Sequence, residues 1–125
     1  SGDETFCSLV EHAVVPLARA YAPQLVLVSA GFDAHRDDPL AGCAVSDGGY
    51  AAMAGSVRRL AAELDAGLGI VLEGGYEIGA LSRSFVAVLE VAGADEAPAV
   101  VDVPVHPLAA RARERLAGRW TALRG

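Results

Sequence analysis

The sequence is poor in cysteine, which excludes two common kinds of site. Among its 125 residues only Cys7 and Cys43 are cysteines, and they form no Cys-x-x-Cys pair. Neither a zinc ribbon nor a thiol redox motif is therefore indicated. Two reduced thiols are typical of a cytoplasmic protein, and we expect a cytoplasmic location.

Long apolar runs and an excess of basic charge are also absent from the sequence. The longest run of mostly apolar residues, Leu25 to Ala30, is far too short for a membrane span, and we expect no signal peptide. The formal net charge is −6, from 10 basic and 16 acidic residues. A general nucleic-acid-binding surface would need a basic field. We therefore expect neither a membrane nor a nucleic acid as a direct partner.

Hydrophobic residues, in contrast, make up 53% of the sequence, and their spacing predicts an α/β fold. Apolar positions recur at helical spacing over about residues 4–21, 49–64 and 78–91. Two short apolar runs, Leu25–Ala30 and Leu68–Leu72, predict strands that are buried on both faces. The alternation of helices and strands predicts a parallel sheet with helices on both faces.

Local signals predict where these elements are interrupted. Pro16 lies inside the first helical pattern and should kink or break it, and Gly67 should end the second helix. Residues 95–107 contain three prolines and predict an extended segment, and residues 108–123 predict an amphipathic helix. Two strands are too few for a covered sheet, so we expect further strands upstream of this chain, with Val100–Val105 as the alternative.

Both predicted strands end in unusual loops, at the edge where parallel sheets place their binding sites. The loop over residues 31–47 carries groups that could bind a divalent ion, namely Asp33, His35, Asp37 and Asp38. The loop at residues 73–76 is Glu-Gly-Gly-Tyr. We expect the two loops to lie close together. At this point a solvated acidic loop with turn roles, a core tyrosine and a phosphate-binding glycine turn remain open alternatives.

Taken together, the two loops resemble the two C-terminal signature loops of the histone deacetylase superfamily. The matching segments are Val28-Ser29-Ala30-Gly31-Phe32-Asp33-Ala34-His35 with Asp38-Pro39-Leu40, and Leu72-Glu73-Gly74-Gly75-Tyr76. Ser1-Gly2-Asp3 and Asp47-Gly48-Gly49-Tyr50 also resemble this family. The residues of these motifs are most similar to those of the class II branch and its bacterial relatives, the acetoin-utilisation proteins and acetylpolyamine amidohydrolases. The resemblance covers about residues 1–94, and residues 95–125 are expected to form a C-terminal extension.

The resemblance implies an arginase/deacetylase-type fold, which is a parallel α/β sheet flanked by helices, and one zinc ion bound by two aspartates and a histidine. By resemblance, Asp38 is one of the zinc ligands. The segment Asp33-Ala34-His35 looks like the family's Asp-x-His ligand pair, but it matches supporting positions instead. Asp33 is therefore expected to fix its loop by hydrogen bonding to backbone amides.

The remaining site residues are also assigned by resemblance. Tyr76 matches the tyrosine that polarises the scissile amide carbonyl, Gly74 and Gly75 would line the acyl-lysine tunnel, and Val45 would stand at its rim. The implied reaction is hydrolysis of an N-acetylated amine, either acetyl-lysine or an acetylpolyamine.

Two parts of the family's catalytic machinery have no match in this sequence. They are the tandem His-His general base and the Asp-x-His ligand pair. We expect a missing N-terminal part of the same domain to carry both, and we expect the isolated chain to be inactive. The alternative function is a non-catalytic, deacetylase-like interaction domain.

Overall fold

The computed structural model describes residues 1–124 and confirms the predicted alternation of helices and parallel strands. In chain order the elements are α1 (Asp3–Leu9), a π-helical turn (Val10–Val14), α2 (Val15–Tyr21), β1 (Leu25–Gly31), α3 (Asp47–Glu63), β2 (Gly67–Glu73), α4 (Ile78–Ala92), α5 (Pro107–Leu116) and a 3-10 turn (Thr121–Leu123). Over these described residues, no helix is both long enough and apolar enough to cross a membrane.

The first helical segment runs without a break from Asp3 to Tyr21, although it contains Pro16. The π-helical turn Val10–Val14 comes directly before this proline, which lies in the first turn of α2. Proline has no N–H to donate and its ring crowds the preceding turn, so a locally wider helix can accommodate it. The predicted kink or break is therefore a local change of helix type.

The two strands pair in parallel, and Leu25 lies opposite Gly67 at the start of the register. One face of the sheet packs against the helices. On the other face Leu25 is 56% exposed, Leu27 is 65% exposed and Val71 is 52% exposed. The prediction of strands buried on both faces is wrong for this chain, because no element among residues 1–124 covers that second face.

The core lies between the covered face of the sheet and helices α1, α3 and α4. Phe32, at the end of β1, is 1% exposed, and its ring centroid lies 4.8 Å from that of Tyr50 and 6.1 Å from that of Phe85. This aromatic cluster anchors the loop that follows β1, since the large buried area of such rings dominates local packing.

Helix α3 ends close to the predicted position, but not through Gly67. Its last residue is Glu63, and Asp65 rather than Gly67 has a positive φ, of 51°. The Ala66 amide then donates to the Ala61 carbonyl oxygen at 2.8 Å, which closes the turn. Gly67 is the first residue of β2, so the predicted role of Gly67 as the end of the helix is wrong.

Residues 93–124 pack on the rest of the chain and add no strand to the sheet. Residues 93–106 contain no helix or strand, and a His12 ring nitrogen lies 2.5 Å from the Val103 carbonyl oxygen. Val100–Val105 is therefore not a third strand. Helix α5 is shorter than predicted and buries Ala109 completely. Gly125, the last residue of the extension, lies outside the described residues.

Candidate functional site

The loops that follow the two strands are joined by direct hydrogen bonds. We refer to residues 32–46 as the first loop and to residues 74–77 as the second loop. The Phe32 amide donates to the Gly74 carbonyl oxygen at 3.1 Å, and the Tyr76 amide donates to the Asp38 carboxylate at 2.8 Å. The predicted closeness of the two loops is confirmed.

Asp38 is buried at the junction of the two loops, and both of its carboxylate oxygens accept backbone hydrogen bonds. Oδ1 accepts from the Leu40 amide at 2.9 Å, and Oδ2 accepts from the Tyr76 amide at 2.8 Å. Burial opposes ionisation, but these amides outweigh it and hold the pKa of Asp38 below its usual value. The predicted zinc ligand therefore joins the two loops, and its role as a ligand stays a prediction.

Asp33 lies at the same edge of the sheet, with a carboxylate that no hydrogen bond engages within residues 1–124. A Cβ atom added at Gly31 or Gly74 would lie 3.1 Å or 3.2 Å from its Oδ1, so the carboxylate stands directly against both glycines. The expectation that Asp33 fixes the loop through backbone amides is wrong in this structure. Asp38 makes those contacts instead, and the Asp33 oxygens keep their lone pairs.

His35 is 1% exposed, and both of its ring nitrogens are engaged. Nδ1 accepts from the Asp37 amide at 3.0 Å, so the hydrogen-bond network assigns the proton to Nε2. Nε2 then donates to the Asp47 carboxylate at 2.8 Å. A histidine with neither nitrogen free does not bind a metal, which supports the interpretation that Asp33-Ala34-His35 is not a ligand pair.

Asp47, the first residue of α3, connects the first loop to α4. Besides the bond from His35, its carboxylate accepts from the Ser84 hydroxyl and from the Arg83 guanidinium, both at 3.1 Å. Burial raises the pKa of Asp47, and the bonds from His35, Ser84 and Arg83 outweigh this and lower it. Arg83 also binds Asp37 at 3.2 Å, so the first loop is tied to α4 at two points.

The N-terminal residues hold the other end of the first loop. The Asp3 carboxylate accepts from the Ser46 amide at 2.7 Å and from the Ser46 hydroxyl at 2.5 Å. Ser46 in turn caps α3 by accepting from the Gly49 amide at 3.0 Å. A Cβ atom at Gly49 would overlap the Asp3 carboxylate. This contact joins the Ser1-Gly2-Asp3 segment to the start of α3, where Asp47-Gly48-Gly49-Tyr50 lies.

The glycines of the second loop have backbone angles that other residues rarely adopt. Gly74 has a φ of 51°, and Gly75 has a φ of 124°. A Cβ atom at Gly75 would lie 3.1 Å from Leu81 and 3.2 Å from Phe32. These glycines allow the turn that precedes Tyr76. Their predicted role in lining a tunnel stays a prediction.

The two tyrosines near the loops differ in their surroundings. Tyr76 is 61% exposed, so the alternative of a core tyrosine does not apply to it. Tyr50 is the core tyrosine, and its buried hydroxyl has no hydrogen-bond partner within residues 1–124. Burial raises the pKa of Tyr50 to about 12. The backbone of Ala34 opposes this rise, and the nearby charges of Asp33 and Asp38 add to it.

Val45 does not stand at the rim of the site, and the prediction that it does is wrong. Its side chain is fully buried in the core, and its backbone pairs with Ala34 and Arg36 of the first loop.

Leu40 is 68% exposed, and its amide binds the same carboxylate as the amide of Tyr76. The backbones of Leu40 and Tyr76 are therefore joined through the Asp38 carboxylate. The position of Leu40 directly after Asp38-Pro39 was the sequence signal that could have indicated this link.

The described residues fit one ligand of a zinc site and do not form a complete site. Within residues 1–124, no group of three or more His, Cys, Asp or Glu side chains is arranged to hold a metal ion. Stable zinc sites use three or four protein ligands. Asp33 lies at the loop junction with free carboxylate oxygens, directly against Gly31 and Gly74, so it fits a single ligand position.

Comparison with known proteins matches the chain to one family. Residues 1–92 match the family described as "Histone deacetylase domain". Histone deacetylase 15 of Arabidopsis thaliana is 40% identical over 91 residues, which are 72% of this chain and 16% of that protein. Histone deacetylase HDA1 of Saccharomyces cerevisiae is 37% identical over 90 residues, which are 72% of this chain and 12% of that protein.

The structural comparison agrees with the sequence match. The crystal structure of the HDA15 HD domain superposes with a TM-score of 0.80 and 32% identity, and the match covers 98% of this chain and 33% of that one. These plant and yeast relatives give no support to the narrower prediction of bacterial, acetoin-utilisation relatives. This chain, which spans about a third of the solved HDA15 chain, belongs to the histone deacetylase domain family.

Proposed function

We propose that this chain is part of a zinc-dependent deacetylase that hydrolyses an N-acetylated amine, either acetyl-lysine or an acetylpolyamine. The observation that carries the proposal is the hydrogen-bonded junction of the two loops. It brings the free carboxylate of Asp33, the glycine turn and the exposed phenol of Tyr76 to one edge of the sheet. Parallel sheets bind their ligands at this edge. Membership of the histone deacetylase domain family supports the same reaction.

Asp33, rather than Asp38, is the zinc ligand in this proposal. The oxygens of Asp38 accept the amides of Leu40 and Tyr76, whereas the oxygens of Asp33 are free to bind a cation. The other ligands and the general base would come from the missing N-terminal part of the domain, because His35 has no free nitrogen and the described residues hold no complete site.

Tyr76 is the catalytic residue that this chain supplies. The chemistry that zinc contributes when bound is polarisation of the carbonyl oxygen and a lowered pKa of bound water. The Tyr76 phenol donates a hydrogen bond to the amide oxygen as negative charge develops on it. Removing one such donor typically costs about 3–4 kcal/mol of transition-state stabilisation. Gly74 and Gly75, with positive φ, form the turn that presents the phenol.

A non-catalytic interaction domain is the second candidate function. The exposed face of the sheet favours it, because Leu25, Leu27 and Val71 would be buried by a partner. The missing N-terminal part of a deacetylase domain would cover the same face, so both candidates predict that something binds there. They differ in whether the resulting protein turns over substrate. A cytoplasmic location is part of the proposal in either case.

The test compares the 125-residue chain with the complete natural protein that contains it. We expect the complete protein to bind about one zinc ion and to hydrolyse a fluorogenic acetyl-lysine peptide, and the short chain to do neither, since one carboxylate is too few ligands. Asp33→Asn should lower zinc content, and Tyr76→Phe should abolish most turnover at full zinc content. A complete protein that binds a partner but has no zinc and no hydrolysis would support the interaction domain instead.

A further inference from the structure

We infer that Asp38 is a positioning residue for Tyr76: its carboxylate holds the Tyr76 amide and thereby sets where the phenol stands relative to the first loop. The catalytic consequence of this inference rests on the proposed function, whereas the structural part does not. The assignment differs from a metal-binding role, because it gives Asp38 no contact with zinc or substrate.

The Asp38 carboxylate bridges the two loops. Asp38 is 7% exposed, and its two oxygens accept from different loops, Leu40 in its own loop at 2.9 Å and Tyr76 in the second loop at 2.8 Å. Hydrogen bonds from amides to an ionised carboxylate are shorter and about twice as strong as those between neutral groups. A single side chain therefore fixes the distance between the two backbones.

Tyr76 has few other contacts that hold it in place. Its side chain is 61% exposed, so core packing does not orient the ring. The two residues before it are glycines with positive φ, and glycine has the widest range of accessible backbone angles. The residue after it, Glu77, caps α4 by accepting from the Gly79 and Ala80 amides. Asp38 is thus the contact made at the backbone of Tyr76 itself.

The first loop, to which Asp38 holds Tyr76, is itself firmly anchored. Phe32 is packed among aromatic rings, and His35 is held on both nitrogens, by Asp37 and Asp47. Asp38 follows directly in this loop, and Asp33 lies in the same loop. Holding Tyr76 to Asp38 therefore also sets the spacing between the phenol and the proposed zinc ligand. Such spacing matters, because a displacement of about 1 Å can cost about 100-fold in rate.

The test uses Asp38→Asn in the complete natural protein that contains this chain. An asparagine side chain keeps one accepting oxygen, but its amide group cannot accept from the second backbone N–H. Asp102→Asn is the matched control, since Asp102 is an exposed aspartate in the C-terminal extension. If Asp38→Asn fails to fold, Asp38→Glu keeps the charge, moves the oxygens by one methylene and is measured in the same way.

Hydrogen exchange tests the structural part without any need for activity. We expect peptides that cover the second loop to exchange at least about 10-fold faster in Asp38→Asn, because a lost hydrogen bond exposes the amide to local opening. Peptides from β1 and α3 should be unchanged, and so should every peptide of Asp102→Asn. Unaltered exchange of the second loop would overturn the inference, whatever the enzyme assay shows.

Kinetics test the catalytic part. We expect Asp38→Asn to lower kcat by about 10- to 100-fold while KM changes little and zinc content stays full. In a Tyr76→Phe background the same substitution should have almost no further effect, since it acts through the phenol. Loss of zinc in Asp38→Asn, or an equal loss of kcat in both backgrounds, would contradict a positioning role. If the unaltered protein does not hydrolyse substrate, the proposed function fails and the exchange result still decides the inference.

Discussion

The two loops at the carboxyl edge of the sheet are held in different ways. The first loop is anchored from within the core by Phe32 and from α3 by the contact between His35 and Asp47. The second loop has four residues and an exposed tyrosine, and its hydrogen bonds with the first loop run through the Gly74 carbonyl oxygen and the Tyr76 amide. The first loop is therefore held by several other elements, and the second loop makes its hydrogen bonds to the first. We expect substitutions that release the first loop to cost more stability than those that release the second.

The largest effect on stability is expected for Phe32→Ala, which removes the core anchor of the first loop. Phe32 is 1% exposed and contacts two other aromatic rings, so we expect the free energy of unfolding to fall by about 3–5 kcal/mol. Urea unfolding measures this change. Val86→Ala is the control, because Val86 is 53% exposed and should change stability by less than about 0.5 kcal/mol. A Phe32→Ala protein as stable as the control would show that the first loop is not anchored by the core.

Gly75→Ala should affect the second loop more locally. A φ of 124° is strained for alanine, and its Cβ would crowd Leu81 and Phe32. Such backbone strain costs about 1–3 kcal/mol, and we expect it to be relieved by movement of the second loop. Urea unfolding and hydrogen exchange of this loop are the measurements. Gly118→Ala should be nearly neutral, since no atom lies within 4 Å of its added Cβ. Equal effects of the two substitutions would argue against a strained turn at Gly75.

Lowering the pH should weaken the hydrogen bond by which Asp47 anchors His35 of the first loop. Burial raises its pKa, but the bonds from His35, Ser84 and Arg83 outweigh burial and lower it. A carboxyl with a lowered folded pKa contributes stability above its unfolded pKa of about 4 and loses it as the pH falls through the folded value. The free energy of unfolding should therefore fall less steeply below about pH 4 in Asp47→Asn than in the unaltered protein. Identical acid slopes would mean that Asp47 does not supply this stability.

The smallest effect is expected for Arg83→Gln. Arg83 is half exposed and binds Asp37 and Asp47, and exposed ion pairs contribute about 0.2–1 kcal/mol. Arg19→Gln is the matched control, because it breaks an exposed pair with Glu63 outside both loops. Both variants should lose similar, small amounts of stability in urea unfolding, and only Arg83→Gln should speed hydrogen exchange of the first loop. Faster exchange in both variants would indicate a general loosening.

The sequence alone predicted most of the fold around the site, because the relevant signals are local. Apolar runs identified β1 and β2, and helical periodicity identified α3 and α4 with ends close to those observed. The boundary errors have local causes as well. Asp65 took the left-handed position that Gly67 was expected to take, and a π-helical turn accommodated Pro16.

The roles within the site were harder to predict, because they depend on contacts between distant segments. Asp33 and Asp38 are both loop aspartates in the sequence, and only the position of the Tyr76 amide distinguishes the carboxylate that is engaged from the one that is free. Val45 and Leu40 are both apolar, and only packing decides that the first is buried and the second is exposed.

The sequence by itself determined the α/β class, the two strands, the two signature loops and the family. These follow from periodicity and from contiguous motifs, which need no knowledge of distant contacts. The tertiary structure decided which aspartate joins the loops, which of Val45 and Leu40 is exposed and which face of the sheet stays exposed. The physical reason is that burial and hydrogen-bond satisfaction depend on residues far apart in the chain, such as Asp38 and Tyr76, and they exist only once the loops meet.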